Sequence, residues 1–193
     1  MTDQAVEREV GRARLRKEDA RLVTGQTLWT DNITVPGLLH LAFLRSPMAH
    51  ARIERIDVSP ALRRPGVVAA FSGRDLADGL GSLPCAWPVT EDMVLPDHPP
   101  LAVDEVRHAG DPVAVVVARD RYAAADALEA IEVDYEPLPP VMDLEAALAE
   151  DAPLVHAAEG TNRAYVWPFT AGEDYETVRQ RADVVLTRRY EQQ

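Results

Sequence analysis

Histidine and cysteine are the residue types in this sequence that most directly suggest metal binding or nucleophilic catalysis. The five histidines are His40, His50, His98, His108 and His156, and the only cysteine is Cys85. No two histidines are three or four residues apart, the spacing that places two imidazoles on one helix face to bind zinc. We therefore expect structural or surface roles for them. Cys85 lies in the segment LPCAWP, which has no base or positive charge to generate a thiolate, so we expect a buried or partly buried thiol in a proline-rich loop.

Three carboxylates alternate along one short segment, at Glu132, Asp134 and Glu136. On a strand they would share one face, where they could bind a hard cation. Any half-exposed strand shows the same alternation, so a solvated strand face is the favoured interpretation.

Gly79 and Gly81 lie in DGLGSLPC, which lacks the third glycine and the following helix of a dinucleotide-binding motif. The sequence also contains neither a P-loop nor a GxSxG nucleophile elbow.

Two arginines could bind an anion. Arg45 directly precedes a Ser-Pro pair, and Arg52 follows seven residues later. Each could instead pair with Asp57, and pairing is the interpretation that we favour. The residues by themselves therefore assign no catalytic, cofactor-binding or metal-binding role to any position.

Composition restricts the class of protein. The chain has 193 residues, enough for one well-buried domain, and a formal net charge of −12. This acidity argues against nucleic acid or an anionic membrane surface as the main partner. One cysteine cannot form an internal disulfide, the first twenty residues do not resemble a secretory signal, and no stretch approaches the ~20 apolar residues of a membrane span. A cytoplasmic location is the expectation.

The clearest structural pattern is a strand, a helix and a second strand within residues 106–135. Residues 113–118 form a continuous apolar run, which predicts a strand covered on both faces. Asp120 can cap the alanine-rich helix that follows. In residues 131–136 apolar and acidic residues alternate, which predicts a strand with one acidic face that ends at Pro137. This unit specifies a core and contains no reacting group.

Other elements flank this unit. Before it, the sequence predicts a short helix ended by Gly25, an inner strand, a second strand, a brief helix beginning at Ser59-Pro60, a third strand and a long loop with five prolines. These segments are residues 17–25, 38–45, 50–58, 59–64, 67–71 and 78–100. After it, the sequence predicts a helix capped by Asp143 that runs through Ala149, an irregular segment, a helix with Tyr175, Val178 and Ala182 on one face, and a last strand that requires a partner. The irregular segment is residues 150–172, and the last strand is residues 184–190.

Four segments together resemble the large, molybdenum-cofactor subunits of the molybdenum hydroxylases, the family of xanthine dehydrogenase, aldehyde oxidase and aerobic carbon monoxide dehydrogenase. The segments are EDARLVTGQTLWTDNITVPGLLHLAFLRSPMAHARIERIDVS, RPGVVAAFSGRDL, PPLAVDEVRHAGDPVAVVVA and ALEAIEVDYEPLPPVMDLEAAL. They cover most of residues 18–149. The resemblance implies an α+β fold, the a/b hammerhead domain that begins such subunits. We accordingly expect a charged arm at residues 1–17, the hammerhead domain at 18–149, and a connector at 150–193 that leads toward a molybdenum-cofactor domain absent from this chain.

The same resemblance implies a function. In this family the molybdopterin cytosine dinucleotide and the catalytic glutamate belong to downstream domains, and the iron–sulfur clusters and FAD belong to other domains or subunits. The expectation is a structural domain or split subunit that is inactive alone and binds no cofactor, with the cofactor-binding polypeptide and the iron–sulfur and FAD subunits as partners. The complete enzyme would oxidise an aldehyde, a purine-like heterocycle or carbon monoxide. The alternative is a free-standing binding or assembly module without redox activity, and an independent enzyme that uses Cys85 or a histidine pair is the least favoured.

Overall fold

A computed structural model describes residues 10–169 and 171–192, and the chain divides after Leu39 into two compact units. Of the expected charged arm, residues 1–9 lie outside the described residues, and residues 10–17 are exposed and without regular structure. The first unit contains helix α1 (Asp19–Val23) and a 3₁₀ turn at Thr30–Asn32. Gly25 follows α1 with a φ of +68°, which confirms the predicted helix end.

The described residues of the second unit form six strands and four short α-helices. The strands are β1 (His40–Arg45), β2 (Ala51–Asp57), β3 (Val67–Ser72), β4 (Glu105–Val106), β5 (Pro112–Ala118) and β6 (Glu132–Pro137). The helices are α2 (Ser59–Leu62), α3 (Gly73–Leu76), α4 (Arg121–Leu128) and α5 (Tyr175–Arg181). Antiparallel sheets with separate helices make this an α+β domain, as expected. Among the described residues, no helix is long and apolar enough to cross a bilayer.

The first sheet has the order β1-β5-β3, with both pairs antiparallel. The central strand is the apolar run predicted from the sequence. Asp120 caps α4, because its Oδ1 accepts a hydrogen bond of 2.9 Å from the backbone N–H of Ala123. Ala127 of α4 packs against Val116 of β5 in a fully buried cluster. Helix α4 therefore covers one face of this sheet.

The second sheet has the order β4-β2-β6. Its buried face carries Ile53 of β2 and Val106 of β4, with Val133 and Tyr135 of β6 packed against them. Those two β6 side chains are the apolar half of the alternation seen in the sequence, so the prediction of a strand with one acidic face is confirmed.

A close backbone approach joins α3 to the chain that enters β4. A Cβ atom on Gly73 would lie 2.1 Å from the carbonyl oxygen of Ala102, so only glycine fits there. The helix begins at Ser72, whose backbone N–H donates to Asp75 Oδ2 at 2.8 Å. The sequence analysis missed both α3 and the two-residue strand β4, because neither is long enough to show a period.

The strand predicted at residues 38–45 is present, but its predicted inner position in the sheet is wrong. β1 lies at the edge, and its exposed side chains alternate with half-buried ones. Leu41 and Phe43 are 61% and 43% exposed. The apolar run gave the impression of two covered faces, but α4 covers only one of them.

Two predictions near the C-terminus also differ from the structure. Asp143 does accept a hydrogen bond from the N–H of Ala146, at 2.7 Å, but the helix is only a 3₁₀ turn at Ala146–Leu148. The last strand predicted at residues 184–190 is absent from the described part of the chain, where this segment is irregular and exposed. A strand requires a neighbour to accept its hydrogen bonds, and this segment has none. The long proline-rich loop at 78–100 is confirmed, and so is a helix at Tyr175–Arg181, although Ala182, predicted on its face, lies just beyond its end in an extended conformation.

Candidate functional site

A cleft of about 570 Å³ lies between the proline-rich loop, β4 and residues 156–164. The side chains on its walls that could act as nucleophile, acid, base or ion-pair partner are Cys85, His98, Glu105, Arg107, His108 and His156. A second cavity of about 560 Å³ shares Glu105, Arg107 and His156 as lining residues, so the two cavities are adjacent. The cleft thus brings together most of the residue types that first suggested chemistry.

Backbone hydrogen bonds fix the proline-rich loop as a wall of the cleft. The N–H of Leu83 donates to the carbonyl of His98 at 2.8 Å, and the N–H of His98 donates to Ser82 Oγ at 2.8 Å. The N–H of Val94 donates to the carbonyl of Ala164, also at 2.8 Å. The loop is therefore tied at both its base and its middle, although it contains no regular element.

Glu105 is the centre of the polar network beneath the cleft. Its Oε1 lies 2.6 Å from His50 Nε2, and its Oε2 lies 3.6 Å from Arg107 Nη2. His50 is 7% exposed, and its Nδ1 lies 2.9 Å from the carbonyl oxygen of Pro139. A carbonyl can only accept, so Nδ1 carries a proton and donates it there.

Arg107 connects this network to the far wall of the cleft. Its Nε donates to the carbonyl of Val155 at 3.1 Å, and its backbone N–H donates to Asp111 Oδ2 at 3.0 Å. Asn162 holds the same wall, since its Oδ1 accepts from the N–H of Val155 at 3.0 Å and its Nδ2 donates to the carbonyl of Pro153 at 2.8 Å. The guanidinium thus joins β4 to the segment after it and is already partly neutralised by Glu105.

His156 is the half-buried imidazole of the cleft. Burial lowers its pKa below the ordinary value of 6.5, and the neighbouring positive charge of Arg107 lowers the pKa further. The ring is therefore neutral at physiological pH, with one nitrogen able to donate and the other able to accept. It can hydrogen-bond a ligand, but it carries no charge with which to attract one.

The structure sorts the predicted candidates into three groups. His98, His108, His156 and Cys85 line the cleft, His50 lies behind its wall, and His40 lies in β1 away from it. Cys85 is exposed, so the expectation of a buried or partly buried thiol is wrong, although the proline-rich loop is correct. Among the described residues, no three His, Cys, Asp or Glu side chains lie close enough to bind a metal ion.

Sequence reasoning missed the two residues that organise the cleft, Glu105 and Arg107. Their partners His50 and Val155 are 55 and 48 residues away in the chain, so no local pattern connects them. In the segment VDEVRHAGD the two residues are two positions apart, the spacing that places side chains on the same side of an extended chain, and this was the available signal.

The carboxylates on the acidic face of β6 form ion pairs with arginines of β2, and we call this set of pairs the ion-pair ladder. Arg52 pairs with Glu136, and Arg55 reaches both Asp134, at 3.0 Å, and Glu132, at 2.9 Å. The carboxylates remain exposed, as the solvated strand face predicted, and the structure adds the arginine partners.

The two arginines first considered for anion binding have other partners. Arg52 does not pair with Asp57, so that expectation is wrong. Asp57 instead lies 3.7 Å from Arg55 and accepts a hydrogen bond of 2.9 Å from the N–H of Ser59. Arg45 donates from Nη1 to the carbonyl of Gly110 at 2.8 Å, and among the described residues it pairs with no carboxylate, so the expected pairing with Asp57 is wrong for Arg45 too.

Two pKa values on this surface move in opposite directions. The hydrogen bond from Ser59 lowers the pKa of Asp57 below its ordinary range, and the Asp134 and Glu132 carboxylates raise the pKa of Arg55. Each charged form is thus favoured by its own partners. The charged groups on this surface are thus paired with other residues of the same chain.

Comparison with known proteins identifies a family. Residues 24–139 match the family described as aldehyde oxidase and xanthine dehydrogenase, a/b hammerhead domain. The chain is 41% identical over 146 residues to the 6-hydroxypseudooxynicotine dehydrogenase complex subunit gamma of Paenarthrobacter nicotinovorans, covering 72% of this chain and 18% of that protein. It is 36% identical over 143 residues to the xanthine dehydrogenase molybdenum-binding subunit of Escherichia coli O157:H7, covering 74% and 19%.

A solved structure gives the same result for the fold. The crystal structure of quinoline 2-oxidoreductase from Pseudomonas putida 86 superposes with a TM-score of 0.66 at 44% identity, covering 74% of this chain and 18% of that one. The chain therefore spans about a fifth of the length of the relatives that it matches.

Proposed function

The chain belongs to the aldehyde oxidase and xanthine dehydrogenase a/b hammerhead domain family, and from this we propose that it is the N-terminal structural part of the large subunit of a molybdenum-dependent hydroxylase. Residues 18–149 form the hammerhead domain, residues 1–17 a charged arm, and residues 150–193 a connector. Catalysis requires a polypeptide with the molybdenum-cofactor domains, and this chain alone is inactive.

One observation carries the proposal: the chain matches over about three quarters of its own length, yet it spans only about a fifth of each relative. One of these relatives is named as a molybdenum-binding subunit, and another as a subunit of a dehydrogenase complex. A chain that shares this domain with such subunits is best explained as a component of the same kind of assembly.

The geometry of the cleft supports a structural role. Its charged groups Glu105 and Arg107 bond to His50 and Val155 of the same chain, and so hold β4 to the residue before β2 and to the segment around Val155. The half-buried imidazole is neutral. These are the properties of a polar network that fixes a fold.

The cofactors belong to the complete enzyme in this proposal. A molybdopterin cytosine dinucleotide on the cofactor-bearing polypeptide would supply hydroxylation with oxygen from water, and iron–sulfur clusters and FAD on partner subunits would carry the electrons away. The described residues of this chain offer no cluster of metal-ligating side chains, so we assign them no step of that reaction.

The test is an affinity purification of the tagged full chain from its source cell, with mass spectrometry and molybdenum analysis of the eluate. We expect molybdenum together with a polypeptide that carries the cofactor domains. The tag alone, expressed in the same cell, is the control. A metal-free eluate without such a polypeptide would contradict the proposal and favour a free-standing module with the same fold.

A further inference from the structure

Within the second unit, the first sheet has one face that the other described residues of that unit leave open. It consists of Leu41 and Phe43 of β1, Val115 and Val117 of β5, and Phe71 of β3, and we call it the apolar face. Phe43, Val115 and Phe71 lie directly opposite one another across the three strands, so their side chains form one continuous row. Leu41 pairs with Val117 in a second row.

Three of these side chains are exposed to solvent. Leu41, Phe43 and Phe71 are 61%, 43% and 36% exposed. Val115 is only 7% exposed because the two phenylalanines flank it. On the opposite side of the same strand Val116 is completely buried beneath α4. A three-stranded sheet with one covered face normally places polar side chains on the other.

Charge strengthens the contrast. The chain contains 32 acidic residues, but β1, β3 and β5 contain none. The charged residue on these strands is Arg45, at the end of β1, where it bonds to the carbonyl of Gly110. An exposed apolar patch with charge only at its end is typical of a surface that another protein covers. Both β1 and β3 are also edge strands, and an uncovered edge beside an uncovered apolar face favours association.

We propose that the apolar face is the surface on which the cofactor-bearing polypeptide of the hydroxylase docks. This inference rests on the proposed function and names the surface through which it operates. The relatives with this domain have about four fifths of their length outside the matched region. A polypeptide of that size is the covering element that the bare sheet lacks.

A second copy of this chain fits the face less well. The rest of the molecule is strongly acidic, with a formal net charge of −12, so two copies repel each other electrostatically. The chain's own C-terminal segment does not cover the face, because Leu186 and Tyr190 are 79% and 89% exposed themselves. Arg189 instead pairs with Glu145, at 3.1 Å, on the 3₁₀ turn.

The test compares three tagged forms of the full chain in the purification described above. These are the native chain, the double variant Phe43→Glu with Phe71→Glu, and Leu144→Glu as the matched control. Leu144 is 89% exposed and lies outside the apolar face, so its replacement adds the same kind of charge elsewhere. We expect the native chain and the control to recover the cofactor-bearing polypeptide equally, and the double variant to recover about tenfold less or lower still. Equal recovery by all three would overturn the docking surface.

A measurement without mutations protects the test against a variant that fails to fold. Hydroxyl-radical labelling of the native chain should modify Phe43, Phe71 and Leu41 when the chain is free. In the purified complex with the cofactor-bearing polypeptide, labelling at these residues should fall severalfold while labelling at Leu144 is unchanged. Unchanged labelling of Phe43 and Phe71 in the complex would overturn the inference.

The outcomes separate the two proposals. If the native chain recovers no cofactor-bearing polypeptide, the proposed function fails. If it recovers the polypeptide but the double variant does so equally well, only the docking surface fails. If sedimentation shows that the free chain forms a dimer that the double variant abolishes, the occupant is a second copy, and that also overturns the inference.

Discussion

The two three-stranded sheets of this domain present opposite kinds of outer surface. The outer face of the second sheet carries Arg52 and Arg55 on β2 against the acidic residues of β6, and every one of these carboxylates has an arginine partner. The outer face of the first sheet carries Leu41, Phe43 and Phe71, with the exposed Arg45 at the end of β1. The charges on the second sheet are paired within the chain, whereas the apolar side chains on the first sheet are exposed to water.

This difference indicates which of the two sheets would be stabilised by a partner. The ion pairs of the second sheet are internal to the chain, so that sheet gains nothing from a partner. The first sheet leaves apolar area in contact with water, each square ångström of which costs about 25 cal/mol until it is covered. Under the proposed function, the second sheet faces solvent and the first sheet faces the cofactor-bearing polypeptide.

The largest effect should come from charge placed on the covered side of the first sheet. Val116→Asp would bury an unpaired carboxylate beneath α4, where the native valine is 0% exposed. We expect a loss of about 4 kcal/mol or more in the free energy of unfolding, measured by urea denaturation. Leu41→Asp, on the apolar face, should change that free energy far less. Similar losses for both variants would show that the apolar face is as buried as the core.

Local pattern was sufficient to predict the central unit of the fold. The apolar run of β5, the Asp120 cap and the alternation of β6 each lie within a few residues, and the structure confirms all three. Which face of a sheet is covered is a different kind of fact. Leu41 and Phe43 read as core residues, because the sequence of one strand does not reveal that only one layer of helix packs on the sheet.

Contacts between distant residues account for the rest of what was missed. Arg55 meets Asp134 and Glu132 across 79 and 77 residues, and the sequence showed only the acidic half of the ladder. Residues 184–190 have a strand-like pattern, but a pattern does not supply a neighbouring strand. The cleft was missed for the same reason, since no short motif links Glu105 to His50.

The next largest effect should follow from removing the carboxylate that holds the edge of the second sheet. Glu105→Ala leaves Nε2 of the buried His50 without its partner, and an unsatisfied buried group costs about 1–3 kcal/mol. Thermal unfolding should show the loss. Asp104→Ala is the matched control, because Asp104 is a neighbouring carboxylate that is 76% exposed and pairs only with the exposed Arg74. An equal loss in the control would show that the network beneath the cleft adds no stability.

A smaller effect should follow from breaking the ion-pair ladder on the outer face of that sheet. Arg55→Gln leaves Asp57, Glu132 and Asp134 close together without the cation that all three contact. We expect a modest decrease in melting temperature at low ionic strength, and a smaller decrease in 1 M salt because screening weakens repulsion between exposed charges. Arg188→Gln, whose guanidinium bonds only to the carbonyl of Thr187, should have no effect at either salt concentration. A decrease that does not depend on salt would mean that Arg55 stabilises the sheet through packing.

The smallest effect concerns a single carboxylate on the same face. The hydrogen bond from Ser59 holds the pKa of Asp57 below its ordinary value of 3.8, so the unfolded chain takes up a proton more readily than the folded one. The stabilisation is therefore fully present above pH 3.8 and disappears as pH falls through the lower folded pKa. Asp57→Asn keeps an oxygen acceptor but cannot ionise, so it should melt slightly below the native chain at pH 7 and match it in strong acid. If the gap in melting temperature persists unchanged in strong acid, the ionised carboxylate does not stabilise this face, and shape alone explains the bond to Ser59.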